Sequence, residues 1–366
     1  MNDAAGSVDV NEISRLMNAP GGKVLLGIDG YIDEVWLVVL SRSSRENYRL
    51  FEKMADLGES IMKCGGGGYS NEILRKRRTY GGFTANTGKA VSRLGVTIEM
   101  LGMFGSKGVD PVFQEFAEKN KLISVGEPGI STIYEFTDGK IMFPYVNEIM
   151  GFTWDSLIRA FDKNELKKLY LDADVIAIGY WSLFPAFDEI VEKICGFGLN
   201  KAKRQRVFFD FADIRKSDRA PLDKTLAMLA ALNKDVPMTL SLNEHEAALL
   251  YSYHGEVLDF KNAPCARKAE KIRAATGLSE LVVHTPHYAA SVSVGESYAV
   301  VRQHYCETPV ITTGAGDNFN GGYLAAMLKG LPPAARLAAA NATTYLYVSR
   351  GYSPELGEVL EELKCR

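Results

Sequence analysis

Long apolar runs are missing from this 366-residue chain. Its longest, such as Val35–Leu40, fall far short of the roughly 18–20 residues a membrane span needs. An excess of positive charge is missing too. Forty-two Lys and Arg stand against 45 Asp and Glu, for a net charge of −3, so neither nucleic acid nor a membrane is an expected partner. Cysteine is sparse: five thiols, at 64, 195, 265, 306 and 365, are odd in number and lack metal-ligand spacing. They read as reduced thiols of a cytoplasmic protein. The N-terminal stretch has neither a basic start nor an apolar core, so no secretory signal is expected. No repeat or low-complexity linker is visible. The first strand runs into Gly27–Asp33, GIDGYID, which lacks G-x-G-x-x-G and argues against a coenzyme-dependent oxidoreductase.

What is present is an alternation of short β-rich runs and helical patterns. KVLLGID, DVIAIG, RVFFDF, MTLSL and ELVVH are continuously apolar, as in a parallel sheet covered on both faces. Helices are expected over Thr84–Leu94, Pro111–Asn120, Phe187–Cys195, Pro221–Leu232 and Glu244–Tyr251. The alternation implies a doubly wound α/β fold. Alternating residues around Asp138-Gly139 predict a hairpin, which with Glu34–Leu40 could build a small second sheet. Met62–Gly82, with four consecutive glycines and five basic residues, reads as a mobile surface loop. Its basic cluster is either a solvated face or an attraction for an anionic substrate.

In open α/β sheets, ligands sit beyond the carboxyl ends of the strands. The most informative loop is Ile311–Leu328, ITTGAGDNFNGGYLAAML. Small residues leave the backbone bare where a helix starts near Ala315, and first-turn N–H groups lack intrahelical partners and carry partial positive charge. Glycine lets an anion approach them. Asp317 falls in that first turn, where it could simply complement the helix dipole or could act on a substrate. Phe319, Leu324, Met327 and Leu328 recur at helical spacing and should face the core.

The stretch TTGAGDNFNGG resembles the C-terminal signature of the ribokinase-like, or PfkB-type, carbohydrate kinases. The resemblance implies that Asp317 is the general base, and that the Gly314-Ala315-Gly316 turn, through the amides of Ala315, Gly316 and Asp317, forms an anion hole. Such roles suit phosphoryl transfer, which needs alignment and charge stabilisation more than covalent chemistry. YGGFTANTGKAVSRLG, Tyr80–Gly95, is similar to the N-terminal signature, with Gly88 where alanine is usual. It implies a sugar site at Gly81, Gly82 and Asn86, joined by Asp29 and Asp33 after the first strand; spacing favours Asp33. Asn243 and Glu246 match the N-x-x-E element that handles Mg²⁺ and phosphate, with Mg²⁺ held through water; the same pair could be a helix cap and its capping-box acid. Asp210, Asp213 and Arg215 occupy the place of a D-x-N-x-R element with altered spacing. Thr285, Asn341 and Gly351 are the implied nucleotide contacts. Pro286 and Ala289 replace glycines of the usual nucleotide loop, and His284 and His287 read as pocket walls. Ile311 replaces the aspartate that helps a monovalent-cation site in many members.

Covering about Lys23–Gly351, the resemblance implies one ribokinase-like domain over residues 1–366. It is a mainly parallel sheet with helices on both faces and a small β lid from segments near 33–50 and 128–150. The implied activity is ATP- and Mg²⁺-dependent phosphorylation of a hydroxyl on a sugar or sugar derivative, with a homodimer through the lid. A nucleoside kinase of the same fold and a non-catalytic sugar-binding member are the alternatives.

Overall fold

The computed structural model describes residues 9–252, 266–296 and 298–365. Its strands are β1 (Lys23–Ile28), β2 (Tyr31–Arg42), β3 (Tyr48–Leu50), β4 (Ile73–Gly81), β5 (Thr97–Gly102), β6 (Lys121–Ser124), β7 (Gly129–Phe136), β8 (Gly139–Tyr145), β9 (Val175–Gly179), β10 (Arg206–Asp210), β11 (Met238–Asn243), β12 (Glu280–His284), β13 (Tyr288–Ser293) and β14 (Ala299–Arg302).

The main sheet has the order β14-β13-β12-β11-β10-β9-β1-β5-β6. It is parallel from β6 to β12, and β13 and β14 add an antiparallel edge. Side chains of a strand alternate between its faces, and the continuous apolar runs divide accordingly into two cores. Leu25, Ile176, Ile178, Val207 and Phe209 pack in one. Val24, Leu26, Val175, Ala177 and Phe208 pack in the other. From β1 the chain builds outward through β5 and β6, then returns to β9 and builds the opposite way. The strand order therefore reverses between β1 and β9, the place where open α/β sheets bind ligands.

The smaller sheet joins β3, β2, β7 and β8, with β4 also paired to β2. Val38, Phe51, Leu57 and Phe136 form its own small core. The segment read as a loop is corrected here: β4 pairs antiparallel with β2 from Ile73 to Gly81. Arg75, Lys76, Arg77 and Arg78 hide any apolar alternation, because most of β4 is exposed. The hairpin turn is Thr137-Asp138, with Gly139 opening β8 opposite Phe136.

Helices Phe83–Arg93, Phe187–Cys195, Arg219–Leu232 and Glu244–Ser252 lie where expected. Pro111–Asn120 is shorter than its pattern suggests, a 3-10 turn at Pro111–Phe113 followed by one turn at Gln114–Ala117. Cys64, Cys195, Cys306 and Cys365 are free, and Cys265 lies outside the described residues.

Candidate active site

The helix Ala315–Leu328 starts where the small residues predict, after Gly314 at φ 81°. Phe319, Leu324 and Met327 are buried, and Leu328 is half-buried. A Cβ on Gly321 would stand 2.4 Å from the Cβ of Ala90, so this glycine lets the helix press against Phe83–Arg93. The two helices that carry the signature motifs are thus in direct contact. Close packing at that crossing delivers Asn86 and Thr87 to Asp317. Asn86 Nδ2 donates to Asp317 Oδ2 at 3.0 Å, and the Thr87 hydroxyl donates to Oδ1 at 3.4 Å.

Burial pushes the Asp317 carboxyl well above the ordinary carboxylate range, and the charge of Asp210 adds to it; the bonds from Asn86 and Thr87 pull it back down. A carboxyl held in this way accepts a proton far more readily than a solvated one. Among the described residues, the amides of Gly316 and Asp317 have no hydrogen-bond acceptor, as first-turn donors of a helix should. The Ala315 amide already reaches Thr312 O at 3.2 Å.

Asp29 follows β1 at the reversal point and is 4% exposed. Its Oδ1 accepts from the amide and hydroxyl of Thr84, and its buried Oδ2 has no partner. Burial raises its pKa to about 6, offset in part by Thr84. Asp33 lies in β2 and is also raised to about 6 by burial, against the Ser131 hydroxyl and the charges of Lys140 and Arg77. Gly81 and Gly82 make room for these two acids. A Cβ on Gly81 would stand 2.6 Å from Asp33 Oδ1, and one on Gly82 would stand 2.2 Å from Asp29 Oδ2.

A cavity of about 1130 Å³ opens between the small sheet and the start of the Ala315–Leu328 helix. Asp33, Asn86, Asn318, Thr313, Tyr347 and Gly351 are among its lining residues. Asn318 Nδ2 donates to Gly314 O at 2.9 Å, while its Oδ1 is buried without a partner. Unpartnered acceptors on Asp29 and Asn318 are costly unless a ligand or water donates to them. Gly351, at φ 82°, caps the Pro333–Arg350 helix at the cavity's edge.

Asn243 and Glu246 form a reciprocal cap at the start of Glu244–Ser252. Asn243 N–H donates to Glu246 Oε2 at 3.0 Å, and Glu246 N–H donates to Asn243 Oδ1 at 3.0 Å. Glu246 is pushed up to about 8, first by burial and then by the charge of Asp210. Asp210, itself raised by burial, accepts from Asn320 Nδ2 at 2.6 Å and from the Ala212 amide at 2.9 Å. Ala212 at φ 58° and Tyr180 at φ 65° are non-glycine residues in the left-handed region, both just past the carboxyl ends of site strands. Among the described residues, no group of three or more His, Cys, Asp and Glu is arranged to hold a metal. The Glu246 carboxyl, whose proton affinity the charge of Asp210 raises, makes with Asp210 a pair that suits a hydrated divalent cation, which would relieve their repulsion.

Two implied nucleotide contacts are engaged inside the fold. Asn341 is 1% exposed, and its Nδ2 donates to Val301 O at 3.1 Å and Arg302 O at 3.3 Å, holding the Pro333–Arg350 helix on β14. The Thr285 hydroxyl accepts from the amides of His287 and Tyr288, both at 3.1 Å, and so closes the β12–β13 turn. His284 stacks on Phe319 with centroids 4.6 Å apart, and burial lowers its pKa to about 4. It is a neutral wall beside Gly316, where a Cβ would lie 3.4 Å from the imidazole.

Thr84, Thr87, Asn318 and Asn320 escape the sequence reading. Each lies inside a signature already recognised, and the available signal is a polar residue among apolar helical neighbours.

A doubly wound sheet whose order reverses between β1 and β9, with a second sheet over the cavity, is a ribokinase-like fold, and the family match makes the chain a carbohydrate kinase, a phosphotransferase with an alcohol group as acceptor. A model of the prokaryotic ketohexokinase family matches residues 4–364. The chain belongs to that family. It is 26% identical over 349 residues to a ketohexokinase of Haloferax volcanii, covering 93% of this chain and 90% of that one. Its fold is also that of Arabidopsis thaliana ribokinase complexed with ribose and ATP, at TM-score 0.66 and 17% identity, covering 94% and 99% of the two chains. A putative ribokinase II from E. coli, in complex with ATP and Mg²⁺, aligns at TM-score 0.64 and 17% identity, covering 95% and 100%.

Proposed function

We propose that the protein transfers the γ-phosphoryl group of ATP to a hydroxyl of a ketohexose. The observation that carries this reading is Asp317, half-buried with raised proton affinity beside the free amides of Gly316 and Asp317, and bonded to an asparagine of the cavity wall. Asp33 and the unpartnered oxygens of Asp29 and Asn318 accept from sugar hydroxyls, and Asn86 holds the base in place. Asp317 takes the hydroxyl proton as the sugar oxygen attacks the γ-phosphorus, and the bond to ADP breaks. The two amides stabilise the charge on the transferring group. Asn243, Glu246 and Asp210 are the residues that would hold Mg²⁺ through water, and the ion would neutralise phosphate charge when bound. Gly351 borders the nucleotide, whereas the internal bonds of Asn341 and Thr285 give them supporting positions. The small sheet acts as a lid that excludes water. The exposed Met142, Phe143 and Tyr145 on β8 support pairing of two lids in a homodimer. No helix among the described residues is long and apolar enough to cross a membrane, and the four free thiols among the described residues support a cytoplasmic setting.

A second reading, phosphorylation of a nucleoside, has one observation in its favour: Val35, Ile133 and Phe136 of the small sheet form an apolar part of the cavity wall. A phosphorylation assay with ATP and Mg²⁺ across ketohexoses, aldoses, sugar acids and nucleosides tests both. The expected result is the highest kcat/KM on a ketohexose. Preference for a nucleoside replaces that reading, and binding without turnover leaves a non-catalytic sugar binder.

A further inference from the structure

Five basic side chains line the cavity, and four of them are held by acids. Lys76 and Arg77 bond to Glu135, Lys89 to Glu115 at 2.8 Å, and Arg93 to Glu355 at 3.1 Å. Lys140 differs. It follows the hairpin turn of the small sheet, opposite Glu135 in the β7–β8 register, and its Nζ donates to the hydroxyl of Thr313. Thr313 immediately precedes Gly314, whose turn exposes the two free amides. An ammonium group on the lid thus touches the loop next to the anion hole and bonds a neutral oxygen there. Burial lowers its pKa, against the favourable charges of Asp33 and Glu135, so the ammonium has lost water that a neutral hydroxyl does not fully replace. An anion placed at this loop would supply what the hydroxyl lacks.

We propose that Lys140 is a phosphoryl-contacting residue, whose ammonium exchanges the Thr313 hydroxyl for an oxygen of the transferring phosphoryl group. The hairpin that covers the sugar would then also deliver a charge that stabilises the transition state, so that an open lid leaves ATP poorly activated towards water. Lys140 stays protonated throughout. The proton passes from the sugar hydroxyl to Asp317, the new bond is sugar oxygen to phosphorus, and ADP is the leaving group. This inference rests on the kinase reading of the same site.

The test is steady-state kinetics of Lys140→Gln and Lys140→Arg beside the wild-type enzyme, using the best sugar from the substrate panel. Glutamine keeps an N–H donor on a slightly shorter side chain and removes the charge. The expected result for Lys140→Gln is a loss in kcat of about 10²-fold, the size seen when one transition-state donor is removed, with a sugar KM close to that of wild type. Lys140→Arg should recover most of the loss. A wild-type kcat in Lys140→Gln, or a raised KM with kcat intact, overturns the proposal and leaves Lys140 as a latch or a sugar contact. An equal loss in both variants also overturns it, since charge would then not be the relevant property. Absence of phosphoryl transfer by the wild-type enzyme to any acceptor would instead sink the kinase reading itself.

Discussion

Asn86 and Asp317 lie 231 residues apart in sequence and meet at 3.0 Å. The asparagine amide favours the ionised carboxylate, while burial and Asp210 favour the protonated one. Replacing Asn86 with leucine removes the stabilising donor and leaves the opposing causes in place. The proton affinity of Asp317 must then rise, and the acidic limb of the kcat/KM profile should move to higher pH, by about one unit for a hydrogen bond to a charged group. An acidic limb that stays where it is would separate Asn86 from the base.

Asp317→Asn keeps the shape of the side chain and removes its ability to take a proton. Turnover should drop by about 10²–10⁴-fold, while calorimetry still detects sugar and nucleotide. Because the carboxylate is costly to bury, the same substitution should raise the thermal midpoint of the ligand-free protein at pH 8. Near-normal turnover would remove Asp317 from its role.

Gly82 has φ 87° and faces Asp29 Oδ2, leaving no room for a methyl group. Gly82→Ala should destabilise the protein by about 1–3 kcal/mol in urea unfolding, the cost of holding a side chain in strained backbone. It should also displace Asp29 and raise the sugar KM. Unchanged stability and KM would show that the turn relaxes without disturbing the acid.

Asp29 and Asp33 have pKa values of about 6 in the fold, and Glu246 has one of about 8. Unfolded carboxyls titrate near 4. A group whose folded value is the higher one binds its proton more tightly when folded. Its contribution to stability is full below the unfolded value and is lost as pH rises through the folded one. Ligand-free protein should therefore become less stable between about pH 5 and pH 8, and Mg²⁺ with ATP should flatten that slope by neutralising Glu246 and Asp210. A thermal midpoint that rises over this range without ligand would contradict the burial of these acids as carboxyls.

Much of the fold could be read from the chain because its physics is local. The strands at Lys23, Val175, Arg206, Met238 and Glu280 are continuous apolar runs, and burial on both faces leaves such runs little alternative. β4 carries no such pattern because its side chains are charged and largely exposed, and its place depends on pairing with β2. β5, β6, β13 and β14 lie outside the strands the pattern predicts; β6 and β14 are at the two margins of the main sheet.

In the candidate site, the helix start at Ala315 and the acid in its first turn were legible in the chain alone, because small residues and backbone polarity act within a few positions. The proton affinities and the partners came from packing. It raised the proton affinity of Asp317, brought Lys140 to Thr313, and turned Asn341 inward to β14. Burial and long-range contact exist only after the sheets have packed, and a linear pattern does not contain them.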